Sequence, residues 1–133
     1  MRIRENLNKV IFFGTDEINI GCNVFINNEV IIECRKLIEI KNDVKIGYNT
    51  VIIDTQSHSV DGLTAPSQYP IIINNNVWIG ANVTILSGVQ IGANSVIASG
   101  YVVNNDIPQN TISGVDSVKN NRNNIYKSKS PRK

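Results

Sequence analysis

The 133-residue sequence is poor in the residues that build metal centres and disulfide frameworks. Its single histidine cannot build a catalytic zinc site of three histidines, so we expect no metal. Its two cysteines, Cys22 and Cys34, lack a CxxC spacing and suit free thiols in a reducing compartment. No stretch approaches the ~20 apolar residues of a membrane span, and no apolar secretory core follows the N-terminus. These absences favour a cytoplasmic protein without a metal or a membrane span.

The formal net charge of +2 is unevenly distributed along the chain. Residues 1–115 carry 7 Lys and Arg against 10 Asp and Glu, whereas residues 116–133 carry 6 against 1. A basic tail can neutralise phosphates of a nucleotide or a nucleic acid, but a solvated terminal tail is the simpler interpretation. Since the length suits one domain, we expect that domain over residues 1–115, a basic tail over residues 116–133 and no nucleic-acid partner.

The apolar residues recur every six positions, a period that fits neither an ordinary strand nor a helix. Ile and Val dominate while Leu is scarce, and β-branched residues favour strands over helices. A fixed period of six is typical of a parallel β-helix, so we predict an all-β fold. The aliphatic residues of this step are Ile73, Ile79, Ile85, Ile91, Ile97 and Val103, and the small or β-branched residues four positions later are Val77, Val83, Val89 and Ser95.

Three hexads make one triangular coil, so chemically similar residues should stack at a separation of 18. Ile73 should lie under Ile91, and Asn76 under Asn94. Gly80 and Gly92 are expected to give the corner backbone conformational freedom, and the asparagines after them, Asn82 and Asn94, tolerate left-handed conformations. The period therefore predicts a prism filled by aliphatic columns.

The repeat is less regular before residue 71. Ile32 and Ile38 are in step, and a two-residue slip to Ile40 then predicts a lengthened corner. The repeat stops over residues 54–70, which are polar and rich in turn residues, so this segment is predicted to be a loop ejected from the coil. Loops of this length without secondary structure inside a compact domain are usually functional or disordered.

The segment from Asn76 to Gly100, NVWIGANVTILSGVQIGANSVIASG, resembles the hexapeptide-repeat acyltransferases. The likeness covers about residues 18–115 and is closest to the maltose, galactoside and capsular-saccharide O-acetyltransferases. It implies a left-handed β-helix, acetyl-coenzyme A as co-substrate, and a homotrimer with its active sites between subunits.

The resemblance also implies a catalytic base in the ejected loop. In this family a loop histidine removes the proton of the acceptor as its oxygen attacks the thioester, and here that histidine is His58. An acid should fix the imidazole tautomer, and Asp54 or Asp61 can supply it. Asp54 is favoured because it resembles the acid that precedes the histidine in capsular-type relatives, although Gln56 stands where many of them carry a second acid.

The positions that match the family's coenzyme groove lie after the loop. Asn104 and Asn105 stand where relatives commonly show Thr-Lys, which removes a cation that could hold coenzyme phosphates. Asn28 and Tyr69 are expected to contact the acceptor. The residues expected at the groove are Trp78, Gly80, Ala81, Ala98 and Ser99, with Asn104 and Asn105.

The resulting prediction is an acetyl-coenzyme A-dependent O-acetyltransferase that acts on a saccharide hydroxyl. Transfer is expected to be direct, because no serine or cysteine has the surroundings of a nucleophile. Two alternatives remain open: N-acetylation of an amino sugar on the same scaffold, and a catalytically inactive β-helix paralogue.

Overall fold

The computed structural model describes residues 10–14, 16–55 and 69–114, and in this part of the chain all regular structure is short β-strand. Each strand holds two to four residues, as expected where a corner follows every few positions. The strands are β1 (Ile11–Phe13), β2 (Glu17–Ile20), β3 (Phe25–Ile26), β4 (Ile31–Glu33), β5 (Leu37–Ile40), β6 (Lys45–Ile46), β7 (Val51–Ile53), β8 (Ile71–Ile73), β9 (Trp78–Ile79), β10 (Thr84–Ile85), β11 (Gln90–Ile91), β12 (Val96–Ile97), β13 (Val102–Val103) and β14 (Ile112–Ser113).

Consecutive strands lie in three different sheets, and every pairing is parallel to a strand of the neighbouring turn. Sheet 1 has the order β1-β4-β7-β10-β13, sheet 2 the order β2-β5-β8-β11, and sheet 3 the order β3-β6-β9-β12-β14. The chain therefore winds around a three-sided prism, which confirms the predicted parallel β-helix.

Aliphatic columns fill the prism as the six-residue period predicts. Ile73 pairs with Ile91 and Ile79 with Ile97, each pair 18 residues apart. All four side chains are completely buried. Stacked Ile and Val side chains remove a continuous apolar surface from water, and each fully buried side chain contributes about 1.5–3 kcal/mol.

Corner 1–2, where the chain passes from sheet 1 to sheet 2, is longer in the first two coils. Ile32 and Ile40 occupy equivalent inward positions of sheets 1 and 2 and are eight residues apart, whereas the equivalent Ile85 and Ile91 are six apart. Glu39 aligns through Ile72 with Gln90, so the two extra residues lie between Ile32 and β5 and not between Ile38 and Ile40, where the sequence pattern has the slip. Residues 54–70, the predicted loop, connect β7 to β8 at the same corner, one coil further along the chain.

The glycines and asparagines of the corners have different roles. Asn82 and Asn94 have φ of 57° and 63°, so their predicted left-handed conformation is confirmed. Gly80 and Gly92 have no positive φ, so the expected need for conformational freedom is wrong. A Cβ on Gly80 would lie 2.6 Å from Ser99 Oγ, and one on Gly92 would overlap the backbone of Gln109. These glycines are needed because the next coil passes close above them.

No helix within the described ranges is long and apolar enough to cross a membrane.

Candidate functional site

Four of the residues expected at the coenzyme groove stack at corner 3–1, where the chain passes from sheet 3 to sheet 1. Gly80 and Ala81 follow β9, and Ala98 and Ser99 follow β12 one turn above. Ser99 Oγ accepts a 3.0 Å hydrogen bond from Ala81 N–H, and Ala81 O accepts a 2.9 Å bond from Gly100 N–H. The small side chains leave the backbone of two coils close to the surface at this corner.

The backbone donors of corner 3–1 are unequally available. The Ala81 amide is already bonded to Ser99, and the Ala98 amide donates to Ser113 O at 2.8 Å. The Ser99 amide has no acceptor within residues 10–14, 16–55 and 69–114. Of these three amides, that of Ser99 can therefore donate to a ligand without losing a bond to a described residue.

Trp78 lies beside this corner, on the outer face of sheet 3. Its side chain is 59% exposed, although a large apolar ring is usually covered. It borders a groove of about 350 Å³ that also contacts Lys45 on the strand before and Val96 on the strand after. Trp78 is thus an exposed aromatic wall two residues from Gly80, as a residue of the coenzyme groove should be. The sequence pattern alone did not single out Lys45, its cationic neighbour in the groove.

Asp54 lies at corner 1–2 and is completely buried. Its Oδ1 accepts a 2.7 Å hydrogen bond from Arg35 N–H, and its Oδ2 accepts bonds of 2.8 Å from Lys36 N–H and 2.9 Å from Leu37 N–H. These amides belong to the lengthened corner of the coil below. Burial of a carboxylate is possible here because backbone donors replace its water.

The backbone of Asp54 also marks where the loop returns. Asp54 O accepts a 3.1 Å hydrogen bond from Tyr69 N–H, and Tyr69 O accepts a 3.2 Å bond from Gly88 N–H. Thr55 is only 7% exposed. His58 and Asp61, the predicted base and the alternative acid, lie outside the described residues.

The remaining predicted residues divide between the two corners. Tyr69, which is 60% exposed, and the exposed Asn104 and Asn105 lie at corner 1–2. Asn105 Nδ2 donates to Asn104 Oδ1 at 3.2 Å, so the two amides form one polar unit. Asn28 is exposed at corner 3–1, where its carbonyl accepts a bond from Asn49 N–H.

The two corners are the two edges of sheet 1. Ala81 lies at corner 3–1, before β10, and Ser87 lies at corner 1–2, after β10. Five residues separate them, and an extended chain rises ~3.3 Å per residue, so the two corners of one chain lie roughly 15–20 Å apart. The structure thus brings five of the expected groove residues together at or beside corner 3–1 and separates them from Tyr69 and from the other two, Asn104 and Asn105. This division between two corners is seen only from the pairing register of the strands, because the register determines which hexad forms which sheet of the prism.

Neither cysteine has the surroundings of a nucleophile. Burial raises the pKa of the Cys34 thiol to about 11, and the charge of Asp54 acts in the same direction. Its Sγ donates to Glu17 O at 3.2 Å. Cys22 is exposed at corner 2–3, where the chain passes from sheet 2 to sheet 3. Both cysteines are free, as predicted.

Comparison with known proteins places these features in one family. The family described as bacterial transferase hexapeptide (six repeats) matches residues 70–105. Galactoside O-acetyltransferase of Lactococcus lactis is 38% identical over 105 residues, which are 76% of this chain and 50% of the relative. The chain thus spans about half the length of the curated relatives it matches.

Two solved structures extend the likeness to three dimensions. A hexapeptide-repeat acetyltransferase of Vibrio cholerae, complexed with acetyl-coenzyme A, has a TM-score of 0.69 and 34% identity over 80% of this chain and 66% of its own. A maltose O-acetyltransferase of Clostridium difficile has a TM-score of 0.68 and 32% identity over 79% of this chain and 61% of its own. Both similarities support the predicted resemblance and the fold.

Proposed function

Because this chain belongs to the hexapeptide-repeat acyltransferases and is a left-handed parallel β-helix, we propose that it transfers an acetyl group from acetyl-coenzyme A to a saccharide hydroxyl. The names of the Lactococcus and Clostridium relatives support a sugar acceptor, and the coenzyme in the Vibrio structure supports the donor. The finer proposal is a surface or capsular polysaccharide, or its precursor. The free cysteines suit the reducing cytoplasm as its compartment.

The observation that carries the proposal is that the predicted donor and acceptor residues lie along the two edges of an apolar face. The outward positions of sheet 1 pair in register from strand to strand. The side chain of Val102 is 51% exposed and that of Ile11 is 45% exposed. Exposed apolar residues grouped on one face are typical of a surface that binds another protein chain. One outward row of this face holds Ile11, Ile31, Val51, Thr84 and Val102. The second outward row includes Glu33, the charged residue of the face, and Ile53.

A homotrimer with sheet 1 turned towards the threefold axis would bring these edges together. In a cyclic trimer each chain meets its two neighbours through different surfaces. Corner 3–1 of one prism then faces corner 1–2 of the next, so the groove at Ala81 and Ser99 would lie across a seam from Tyr69 and the loop root. A single prism cannot combine them, because its own corners are a sheet's width apart.

In this seam we assign His58 the role of general base. Its imidazole takes the proton of the acceptor hydroxyl while the oxygen attacks the thioester carbonyl. The tetrahedral intermediate collapses by breaking the carbon–sulfur bond, and the imidazolium returns the proton to the leaving sulfur. Direct attack is supported by the chemistry of Cys34, since a buried thiol with a pKa of about 11 is not a thiolate at neutral pH.

The donor would run along corner 3–1. The Ser99 amide can bind a pantetheine carbonyl, and Trp78 can cover the apolar part of the arm. Asn104 and Asn105 of the neighbouring chain would meet the coenzyme from the other side of the seam. As they are uncharged, a cation from the basic tail, such as Lys119 or Arg122, would bind the phosphates.

The decisive experiment is a thiol-release assay with acetyl-coenzyme A and a panel of saccharides. His58→Ala should lower kcat by at least 10²-fold, the range of general-base catalysis, without changing the oligomeric state. Ser59→Ala, in the same loop, serves as the matched control and should stay within about twofold of the unmodified protein. A His58→Ala protein with near-normal turnover would exclude His58 as the base.

A further inference from the structure

Asp54 connects three parts of the chain that are distant in sequence. Its side chain binds the amides of the lengthened corner over residues 35–37. Its own amide donates to Glu33 O at 3.2 Å, and its carbonyl accepts from Tyr69, the first described residue after the loop. The chain just before residues 56–68 and the first described residue after them are therefore both attached to Asp54.

The Asp54 carboxylate has little capacity left for another partner. Two carboxylate oxygens offer about four acceptor positions, and three backbone amides use three of them. Cys34 Sγ approaches Oδ2 at 3.7 Å on the buried side. Only Oδ1 retains an acceptor position, and the side chain as a whole is 0% exposed. An acid that orients a catalytic imidazole in a cleft needs a carboxylate oxygen that the imidazole can reach. The burial and the three amide bonds of Asp54 do not favour that role.

We propose that Asp54 is a positioning residue, which ties Tyr69 to the corner over residues 35–37 and so fixes the two ends of the segment that carries His58, and that Asp54 is not the acid that orients the imidazole. This inference rests on the proposed function and replaces the orienting role that the sequence suggested for Asp54. It also explains the two-residue lengthening of the corner. Three consecutive amides can converge on one carboxylate because seven positions lead from Ile32 to Glu39, whereas five lead from the equivalent Ile85 to Gln90.

A displaced loop root should affect turnover more than binding. Reacting groups must meet at about 3–3.5 Å, and a displacement of 1 Å can cost about 10²-fold in rate. The groove for the pantetheine arm lies at corner 3–1, and Asn104 and Asn105 follow β13 and make no bond to Asp54 among the described residues, so coenzyme affinity should hardly depend on Asp54. The expected signature is thus a loss in kcat with little change in the donor KM.

The test compares Asp54→Asn with Asp106→Asn. Asp106 lies at the same corner, and its Oδ1 accepts a 2.8 Å bond from Gln90 N–H, but it bonds neither end of the loop. In the pH profile of kcat/KM, Asp54→Asn should lower the plateau by 10- to 100-fold and leave unchanged the apparent pKa at which activity falls on the acidic side. It should also speed hydrogen exchange of the backbone amides of residues 35–37 at least tenfold. Asp106→Asn should stay within about twofold in kcat/KM.

Two results would overturn the proposal. A fall of one unit or more in the apparent pKa of the acidic limb would mean that Asp54 contacts the imidazolium directly. An unchanged plateau, or unchanged exchange at residues 35–37, would mean that Asp54 does not hold the loop root. If Asp54→Asn does not fold, Asp54→Glu, which keeps the acceptors but displaces them by a methylene group, is measured by the same criteria.

Failure of the proposed function gives a different pattern. If the unmodified protein releases no thiol with any acceptor, the acetyl-transfer proposal fails. The exchange of residues 35–37 still reports whether Asp54 anchors the corner, and unchanged exchange rejects the positioning role.

Discussion

Asn76 donates through its side-chain amide to Oδ1 of Asn94, one full turn further along the prism, at 2.9 Å. Asn94 in turn donates to Oδ1 of Asn110 at 3.2 Å. All three residues are left-handed, with φ of 59°, 63° and 58°. Corner 2–3 thus carries a polar ladder outside the aliphatic core, and asparagine serves it in two ways: it tolerates the backbone conformation and supplies both a donor and an acceptor.

Replacing Asn94 should separate these two contributions. Asn94→Ala loses the ladder bonds and places an ordinary Cβ in the left-handed region, so we expect the free energy of unfolding to fall by about 2–3 kcal/mol. Asn94→Gly loses only the bonds and should cost about 1 kcal/mol. Urea unfolding measures both. Asn82→Gly is the control, because Asn82 has a φ of 57° and no ladder bond, and equal losses for the two Asn94 variants would contradict the role of φ.

A charge on the outer face of sheet 1 should disrupt assembly. Val102→Lys places an ammonium in the apolar face that we assign to the trimer axis, and desolvating it costs several kcal/mol. We expect a shift from trimer to monomer in sedimentation velocity and a matching loss of turnover. Ile72→Lys, on the outer face of sheet 2 beside Glu39, is the matched variant and should remain trimeric. Trimeric Val102→Lys protein would place the interface elsewhere.

The buried thiol should be unreactive and should make stability depend on pH. One thiol per folded chain, that of Cys22, should react with Ellman's reagent at pH 8, and two after unfolding. The pKa of Cys34 is raised from 9.0 to about 11, so folding favours the protonated thiol. This stabilisation is complete below about pH 9 and is lost between pH 9 and 11, by about 2–3 kcal/mol.

The measurement for Cys34 is the free energy of unfolding from pH 8 to pH 11 for the unmodified protein and for Cys34→Ala. The difference between the two curves removes the titration of lysines and tyrosines. A constant difference across this range would contradict the raised pKa.

The nature of the acceptor can be tested with paired sugars. A hydroxyl must lose its proton as it attacks, whereas an amine can arrive already neutral, so the base is needed more for the hydroxyl. We expect the protein to acetylate a galactoside in preference to the corresponding amino sugar, and His58→Ala to reduce transfer to the hydroxyl more strongly. A preference for the amino sugar would support the N-acetyltransferase alternative.

The sequence predicted the prism well because each hexad carries its own inward residue. Ile79 and Ile97 needed no knowledge of distant contacts, only a constant period. The role of Asp54 could not be predicted in this way, since its partners are three amides 17–19 residues earlier, and no local pattern marks a carboxylate as their acceptor. The two-residue slip was the available signal, because a widened corner has backbone donors that need an acceptor.

The division of the site between two corners was also beyond the pattern. The resemblance gave Ala81 and Tyr69 roles in one active site, but their positions on opposite edges of sheet 1 follow only from the register. His58 remains a prediction, supported by the family and by the position of the loop in the sequence.

Corner 1–2 holds three residues at 34–36 and seventeen at 54–70, yet Val51 on β7 and Thr84 on β10 still pair in register across that turn. The entropy of closing a loop grows only slowly with its length, so the coil tolerates such insertions. Chimeras that exchange residues 56–68 for segments of other lengths should therefore keep the donor cleft intact while altering which sugars are accepted, which makes this corner the natural point for diversification and for engineering.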